Sequence, residues 1–165
     1  MNDSQIIVKV GIADLNMVSA PQTIRTSGLG SCIGAVLYDL PKKIAGLAHI
    51  MLPDSSLARQ DSINTYKYAD TAIDILIEKL CENGARKYAL QAKLAGGAQM
   101  FQFSSTSEIM RIGPRNVEAV KEKLNMHYIP IVSMDVGGNC GRTIEFDPAT
   151  GELKIRTVTK GQSFI

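Results

Sequence analysis

The chain has 165 residues, of which 45% are hydrophobic and 21% are charged. This length suits one folded domain over residues 1–165, and this composition excludes an intrinsically disordered chain. The 18 basic and 16 acidic residues leave a net charge of +2, which disfavours a nucleic-acid-binding protein that works through bulk positive charge. No apolar stretch reaches the roughly 20 residues needed to cross a bilayer, so direct membrane insertion is not expected.

The first part of the chain predicts three strands. Gln5–Ile12 is rich in β-branched residues, and Cys32–Tyr38 and Ile44–Leu52 are largely apolar runs. The last two runs are separated by Asp39–Lys42, which contains a proline and is typical of a turn. We therefore expect the second and third strands to form an antiparallel hairpin.

A helix follows this hairpin. Gly84, which comes directly after Asn83, is a plausible end for it. Apolar residues recur at the three- and four-residue spacing of an amphipathic helix, which predicts that they face the core. These residues are Ala69, Ile73, Leu76, Ile77, Leu80 and Cys81.

The remaining segments predict a second helix and four more strands. The helix is expected over Arg115–Leu124. Tyr88–Leu94 and Ile129–Val136 read as strands, and the turn-forming sequence DPATG separates two further runs, Thr143–Phe146 and Leu153–Val158, which predicts a closing hairpin. Because strands outnumber helices, we expect a single-domain α+β fold, a mixed or antiparallel β-sandwich covered by two main helices.

The chain has three cysteines, Cys32, Cys81 and Cys140, with no CxxC spacing. An odd number of cysteines favours free thiols in a reducing cytoplasm over a disulfide framework. The N-terminus has no basic segment followed by a long apolar one, so a secretory signal is not expected. Cys140 lies in the glycine-rich sequence GGNCGR, where an exposed and oxidisable thiol is plausible.

Cys32 and His49 lie on either side of the predicted hairpin turn. If Tyr38 pairs with Lys43, Cys32 lies directly opposite His49 on the same face, with Cβ atoms about 5 Å apart. A loop of odd length would break this arrangement. A neighbouring imidazole can take the proton of a thiol, so the pair predicts nucleophilic catalysis. The alternative is a buried, apolar cysteine and a structural histidine.

The residues around Cys32 suit this chemistry. Glycines on both sides let the backbone approach a substrate, and the N–H groups of Ser31 and Cys32 are candidates to stabilise an oxyanion. Thr26 and Ser27 carry the nearby hydroxyl groups that could orient the histidine. The glycines do not form a GxGxxG dinucleotide motif, and the cysteines and histidines lack metal-ligand spacing.

The sequence resembles the CheD family, the chemoreceptor glutamine deamidases of bacterial chemotaxis. Six blocks match the family in its order and at its spacing, over nearly the whole chain. They are LGSCIGAVLYD at 29–39, GLAHIMLP at 46–53, KYADTAIDILIEKL at 67–80, KLAGGAQMF at 93–101, IGPRN at 112–116 and DVGGNCGRTIEFDPATGE at 135–152.

The resemblance implies a fold similar to that of toxin-type Cys–His deamidases. It implies a cysteine-dependent protein-glutamine glutaminase, an amidohydrolase that converts receptor glutamines to glutamate and ammonia through a thioester on the cysteine. The family's nucleophile falls on Cys32, its histidine on His49 and its third active-site residue on Thr26. No metal or organic cofactor is implied. Further candidate residues for substrate binding or the oxyanion site are Ser27, Ser31, Gly97, Gln99 and Phe101.

The partners implied by the resemblance are the cytoplasmic helices of methyl-accepting chemotaxis receptors and the CheC phosphatase. The expected location is the cytoplasm, with association to the membrane receptor array through the receptors. Two alternatives stay open. In the first, the chain is mainly a regulatory module that binds receptors and CheC to tune adaptation. In the second, it is a related cysteine hydrolase with another amide or ester substrate.

Overall fold

The computed structural model describes residues 6–58, 64–99 and 111–165 of the chain. Within these ranges it contains ten strands, two α-helices and two 3-10 helices at Ser55–Leu57 and Lys87–Ala89. The longer elements, numbered in chain order, are β1 Ile7–Lys9, β2 Leu15–Ser19, β3 Thr23–Leu29, β4 Ile33–Asp39, β5 Ile44–Ile50, α1 Ala69–Glu82, β6 Gln91–Gly96, α2 Ile112–Met126, β7 Ile131–Val136, β8 Arg142–Asp147, β9 Glu152–Thr157 and β10 Gly161–Phe164.

The strands form two five-stranded sheets. The first has the order β1-β3-β8-β9-β10 and the second the order β2-β5-β4-β6-β7. Each sheet is mixed, because β1 runs parallel to β3 and β6 runs parallel to β7 while the other pairs are antiparallel. The expected α+β fold with mixed sheets and two main helices is confirmed.

The second sheet is buried on both faces. Along β4, Ile33 and Leu37 pack in one apolar cluster with α1 and α2, whereas Val36 and Tyr38 pack in another with the first sheet. Side chains alternate between the two faces of a strand, so one continuous apolar run supplies both clusters. The layers are therefore helices, second sheet and first sheet, and a side chain between the two sheets is shielded by both.

The β4–β5 hairpin is present, but its predicted register is wrong. Asp39 pairs with Ile44, and Gly34, not Cys32, pairs with His49. Two features accompany this register. The Asp39 side chain is fully buried as the last residue of β4, and Lys43 has a left-handed φ of 56°, which places it in the turn, so β5 begins only at Ile44. The shift is by two residues, so Cys32 keeps its place on the His49 face.

The long helix was predicted well except at its end. Ala69, Ile73, Leu76, Ile77 and Leu80 are buried as expected. The prediction that Cys81 lies in the core is wrong, because its side chain is exposed. Four residues of helix turn Cys81 about 40° further round than Ile77, which itself lies at the edge of the buried face.

The second helix begins three residues earlier than predicted, at Ile112, with Pro114 in its first turn. Proline is tolerated there because the first N–H groups of a helix have no partner within it. The closing hairpin of β8 and β9 is confirmed. Three strands, β2, β3 and β10, were not predicted, since their sequences are rich in polar residues and glycine. No helix in the described ranges has the length and apolarity of a membrane span.

Candidate active site

Thr26 and His49 meet between the two sheets. Thr26 lies in β3 of the first sheet and is 2% exposed, and His49 lies near the end of β5 in the second sheet and is 0% exposed. Cys32 lies one residue before β4 and packs against the same inter-sheet cluster. The three residues named by the sequence are thus gathered at one end of the layer between the sheets.

The hydrogen bonds of Thr26 fix the proton of the imidazole. The Thr26 hydroxyl lies 2.8 Å from the Val10 carbonyl oxygen and 2.8 Å from His49 Nδ1. A carbonyl only accepts, so the single hydroxyl proton goes to Val10, and Thr26 Oγ1 must accept from Nδ1–H. The proton of neutral His49 is therefore on Nδ1, and Nε2 carries a free lone pair.

His49 Nε2 is the atom that the fold leaves available. It is buried and has no hydrogen-bond partner in the described part of the chain. Burial lowers the pKa of His49 below its usual value of 6.5, because the charged form loses its hydration. The imidazole is consequently neutral at physiological pH and ready to accept a proton.

The Cys32 thiol is also neutral in this environment. It is free and half-buried, and burial raises its pKa above the usual 9.0. Diagonal neighbours on one face have Cβ atoms about 7 Å apart, against about 5 Å for directly opposed residues. The corrected register therefore puts the thiol and the imidazole near each other without a preformed hydrogen bond between them.

The main chain around Cys32 is held by the loop after β6. The Gly97 N–H donates to the Cys32 carbonyl oxygen at 2.9 Å, and the Ala98 N–H donates to the Gly30 carbonyl oxygen at 2.8 Å. Gly96 has a left-handed φ of 111°, and a Cβ atom there would overlap the Cys32 carbonyl oxygen. This close approach requires glycine at position 96, the first residue of the GG pair at the end of β6.

Arg142 holds the same loop from the other side. Its side chain is buried, and its guanidinium donates to the Gly137 carbonyl oxygen at 3.0 Å and to the Gly96 carbonyl oxygen at 3.3 Å. It also lies 3.5 Å from the Asp135 carboxylate. An arginine after a glycine-rich loop is a weak signal, because its partners are main-chain atoms that no sequence pattern reveals.

The other candidate residues have different surroundings. Ser27 is exposed, and the Ser31 carbonyl oxygen accepts a hydrogen bond from Asn116 at 2.9 Å. The N–H of Gly97 is already used on Cys32, and that of Gln99 donates to Gly138 at 2.9 Å, so neither is a free oxyanion donor. Phe101 lies outside the described residues.

An open groove of about 530 Å³ lies beside this site, at the ends of β3, β8 and β9. Gly28, two residues after Thr26, forms part of its wall together with Cys140, Arg142 and Arg156. Cys140 is half-buried, with its sulfur 3.3 Å from the Thr159 hydroxyl. Neither Cys32 nor His49 lines the groove, so it adjoins the candidate catalytic pair and does not contain it.

His127, the second histidine of the chain, has structural surroundings. It lies at the end of α2, and its Nε2 is 2.7 Å from the Asp74 carboxylate of α1. It therefore links the two helices far from the inter-sheet layer. Among the described residues, no group of three or more histidine, cysteine, aspartate or glutamate side chains is close enough to hold a metal ion.

Comparison of the sequence with known proteins places the chain in a family. The family profile described as CheD, chemotactic sensory transduction, matches residues 51–157. The chain belongs to the CheD family. A relative from Halalkalibacterium halodurans, named chemoreceptor glutamine deamidase CheD, is 61% identical over all 165 residues, which is 100% of both chains. The resemblance seen in the sequence blocks is thereby confirmed.

Other CheD relatives show similar coverage. The chemoreceptor glutamine deamidase CheD of Bacillus subtilis is 57% identical over 97% of this chain and 96% of its own. The probable chemoreceptor glutamine deamidase CheD of Lachnoclostridium phytofermentans is 53% identical over 96% of this chain and 98% of its own. These alignments extend beyond the profile match and span Thr26, Cys32 and His49, the residues that meet between the sheets.

Proposed function

We propose that this CheD-family protein hydrolyses the side-chain amides of glutamines on chemoreceptors, with Cys32 as the nucleophile. The relatives of similar length are named for this reaction. One observation supports the mechanism above all. The Val10–Thr26–His49 hydrogen-bond chain fixes the imidazole proton on Nδ1 and leaves Nε2 free, on the face of the hairpin that Cys32 shares.

The first half of the reaction is acyl transfer to sulfur. The Cys32 S–H proton moves to His49 Nε2 as the sulfur attacks the carbonyl carbon of the glutamine amide. The tetrahedral intermediate collapses when its C–N bond breaks, and the nitrogen leaves as ammonia with the proton returned from Nε2. The product is a thioester between Cys32 and the former glutamine side chain.

The second half restores the enzyme. His49 Nε2 takes a proton from water, and the resulting hydroxide attacks the thioester carbonyl. The C–S bond breaks, glutamate is released, and the proton returns to the Cys32 sulfur. Throughout both halves Thr26 Oγ1 accepts from Nδ1–H, so it stabilises the imidazolium that forms when Nε2 is protonated.

Substrate binding is expected to complete the pair. Both groups are neutral before the reaction, since burial raises the pKa of Cys32 and lowers that of His49. A rotation of the Cys32 side chain towards Nε2 is then a small movement, because the two residues share one face of the β4–β5 hairpin. Catalytic hydrogen bonds often tighten only in the substrate complex.

Three finer points belong to this proposal. The first is that the fold is similar to that of toxin-type Cys–His deamidases, and the second is that CheC is a partner. Both rest on the sequence resemblance. The third is that the receptor helix docks beside the groove at the ends of β3, β8 and β9, which adjoins Thr26 through Gly28.

The test uses a cytoplasmic fragment of a chemoreceptor from the same organism. The fragment is incubated with the parent protein or with Cys32→Ala, and glutamine-to-glutamate conversion is mapped by peptide mass spectrometry. We expect conversion by the parent alone, which would identify the target glutamines at the same time. Conversion by the Cys32→Ala variant would contradict the nucleophile assignment.

A binding assay separates the enzyme from the regulatory module. Cys32→Ala should bind the receptor fragment as tightly as the parent, because the sulfur is a small part of the contact surface. A Cys81→Ala variant is the matched control, since Cys81 is a free, exposed cysteine on α1 that does not line the groove. It should retain deamidation. Binding by both proteins with no conversion by the parent would favour the regulatory module for that receptor.

A further inference from the structure

Asn116 is a fully buried amide on the helix that covers the active-site end of the second sheet. It lies in α2 and is 0% exposed, with buried Gly113 and Val117 on the same helix face. A buried amide is costly unless its hydrogen-bonding groups are used. The contacts of Asn116 therefore show what the amide does in this apolar setting.

The two N–H donors of Asn116 reach two different segments. Nδ2 lies 2.9 Å from the Ser31 carbonyl oxygen and 2.9 Å from the Met51 carbonyl oxygen. Both partners only accept, so the nitrogen and not the oxygen of the amide must face them. Ser31 directly precedes Cys32, and Met51 follows His49 by two residues. One side chain thus bridges the main chain of the nucleophile and the main chain of the base.

The bond to Ser31 also sets the direction of the Cys32 N–H. A trans peptide unit is planar, so its C=O and N–H point in opposite directions. The Ser31–Cys32 peptide is trans, which means that the Cys32 N–H points away from Asn116. In the described part of the chain this N–H donates to no acceptor. It is a free donor next to the attacking sulfur, where an oxyanion needs one.

The helix that holds Asn116 is in close contact with the loop that follows β6. A Cβ atom at Gly113 would overlap the Gly97 and Ala98 carbonyl oxygens, so the first turn of α2 lies directly on the loop after β6. That loop in turn donates to the Cys32 carbonyl oxygen through Gly97 N–H. Cys32 is therefore held on both of its peptide units, by Asn116 before it and by Gly97 after it.

The side-chain oxygen of Asn116 takes no part in these hydrogen bonds. Asn116 Oδ1 is buried and has no hydrogen-bond partner among the described residues. An apolar residue would avoid that cost, but it would leave the Ser31 and Met51 carbonyls unpaired as well. The retained amide fits a site where the donors matter more than the helix's own stability.

We propose that Asn116 is a positioning residue for the deamidation reaction. It holds Cys32 and His49 at their working separation and directs the Cys32 N–H at the oxyanion. This inference rests on the proposed role of Cys32 as nucleophile. Asn116 touches neither the substrate nor the reacting atoms, so its loss should lower kcat and leave KM for the receptor nearly unchanged.

The decisive variant is Asn116→Asp, which keeps the size and shape of the side chain. At neutral pH it turns carboxylate oxygens towards two carbonyls that need donors. We expect kcat for the receptor fragment to fall about 100-fold, with KM changed by less than about threefold, since small displacements of reacting groups have effects of this order. Asn116→Ala, which removes the donors without adding charge, should give a similar loss if Asn116→Asp does not fold.

A pH profile separates positioning from general destabilisation. A protonated carboxyl can donate one of the two lost bonds, so the ratio of Asn116→Asp to parent kcat should rise as pH falls from about 8 to about 6. Val120→Ala is the matched control. Val120 is equally buried one turn further along α2, so its truncation opens a cavity without touching either carbonyl. It should lower the thermal midpoint and keep kcat within about twofold.

The outcomes are distinguishable. A folded Asn116→Asp protein with kcat within about threefold of the parent would overturn the positioning role, and so would an equal loss of kcat in Val120→Ala. A Cys32→Ala protein measured in parallel tests the proposed function separately. If Cys32→Ala still deamidates, the nucleophile assignment fails. If it is inactive while Asn116→Asp is active, only the positioning role fails.

Discussion

The two ends of the β4–β5 hairpin differ in whether their buried polar groups have hydrogen-bond partners. At the turn end, the Asp39 carboxylate accepts from the Arg86 guanidinium at 2.9 and 3.0 Å and from the Arg86 N–H at 3.0 Å. At the open end, His49 Nε2 and the Cys32 N–H have no hydrogen-bond partner among the described residues. The same two strands therefore connect a fully paired site with an incompletely paired one.

The difference shows how function can be read from hydrogen bonding in a buried layer. A paired buried charge is tolerated because its partners replace water, and it stabilises one arrangement of the chain. An unpaired buried acceptor costs about 1–3 kcal/mol and adds nothing to folding. In the proposed mechanism the reaction supplies the partner of His49 Nε2, first as the thiol proton of Cys32 and then as a proton of water.

The largest effect is expected from removing the base at the open end. His49→Gln should lower kcat for receptor deamidation by about 10²–10⁴-fold, because Gln cannot accept and return the Cys32 proton. The substitution also removes the Nδ1–H that donates to Thr26, so kcat is compared at a temperature well below the thermal midpoint of the variant. Retention of more than a tenth of the parent kcat would contradict the assignment of His49 as base.

Breaking the ion pair at the turn end should do the reverse. Arg86→Ala removes the guanidinium from the buried Asp39 carboxylate, which then keeps only main-chain N–H donors, and should lower the free energy of unfolding. Receptor deamidation well below the thermal midpoint should stay within about twofold of the parent. Urea unfolding and kinetics measured on the same preparation test both statements, and a selective loss of activity would abolish the contrast between the two ends.

The same ion pair should be sensitive to acid. Arg86 lowers the pKa of Asp39 from 3.8 to about 2 in the folded protein, so folding favours the ionised carboxyl. Its contribution is complete above about pH 4 and is lost as pH falls towards about 2. The stability difference between the parent and Arg86→Ala should shrink over that window. A difference that does not change with pH would contradict this linkage.

A smaller effect is expected from Thr26. Thr26→Val keeps the shape of the side chain but removes the acceptor of the His49 Nδ1 proton. We expect kcat to fall about tenfold to a hundredfold, equivalent to about 1.4–2.7 kcal/mol in the barrier. Thr26→Ser, which keeps the hydroxyl, is the control and should stay within about threefold. Equal activity of the Val and Ser variants would show that the hydroxyl does not orient His49.

The smallest effect is expected from a change of pH, which tests the protonation state of Cys32 and His49. Burial raises the pKa of Cys32 and lowers that of His49, so the resting pair is a neutral thiol and a neutral imidazole. Alkylation of Cys32 by iodoacetamide, followed by mass spectrometry of its peptide, should keep accelerating beyond pH 9. The acid limb of kcat/KM should lie below pH 6.5. A plateau of alkylation near neutral pH would instead reveal a preformed thiolate–imidazolium pair.

Much of the site was visible in the sequence because the elements that build it have regular patterns. The apolar runs on either side of the Asp39–Lys42 turn predict the hairpin, and its two-residue side-chain period keeps Cys32 and His49 on one face even though the register is shifted. Thr26 was a candidate only through its hydroxyl and the family resemblance. The strand that presents it, β3, was missed because its sequence TIRTSGL resembles a loop.

The residues that complete the site were not predictable in the same way. Asn116 and Arg142 act on main-chain carbonyls of distant segments, and such partners leave no spacing pattern in a sequence. Cys81 also shows that the sequence pattern alone does not determine which side chains are buried. Its position on the apolar stripe of α1 predicted burial, but only the packed sheet defines where the buried face of that helix ends.

By itself, the sequence determined the class of fold, the family and the placement of a cysteine and a histidine on one face of a hairpin. These follow from composition, from local periodicity and from ordered sequence blocks, which act along the chain. The tertiary structure decided which nitrogen of His49 is free, which peptide units hold Cys32 and which cysteines are accessible. Those properties depend on contacts between β3, β5, α2 and the loop after β6, segments that become neighbours only when the two sheets and the helices pack together.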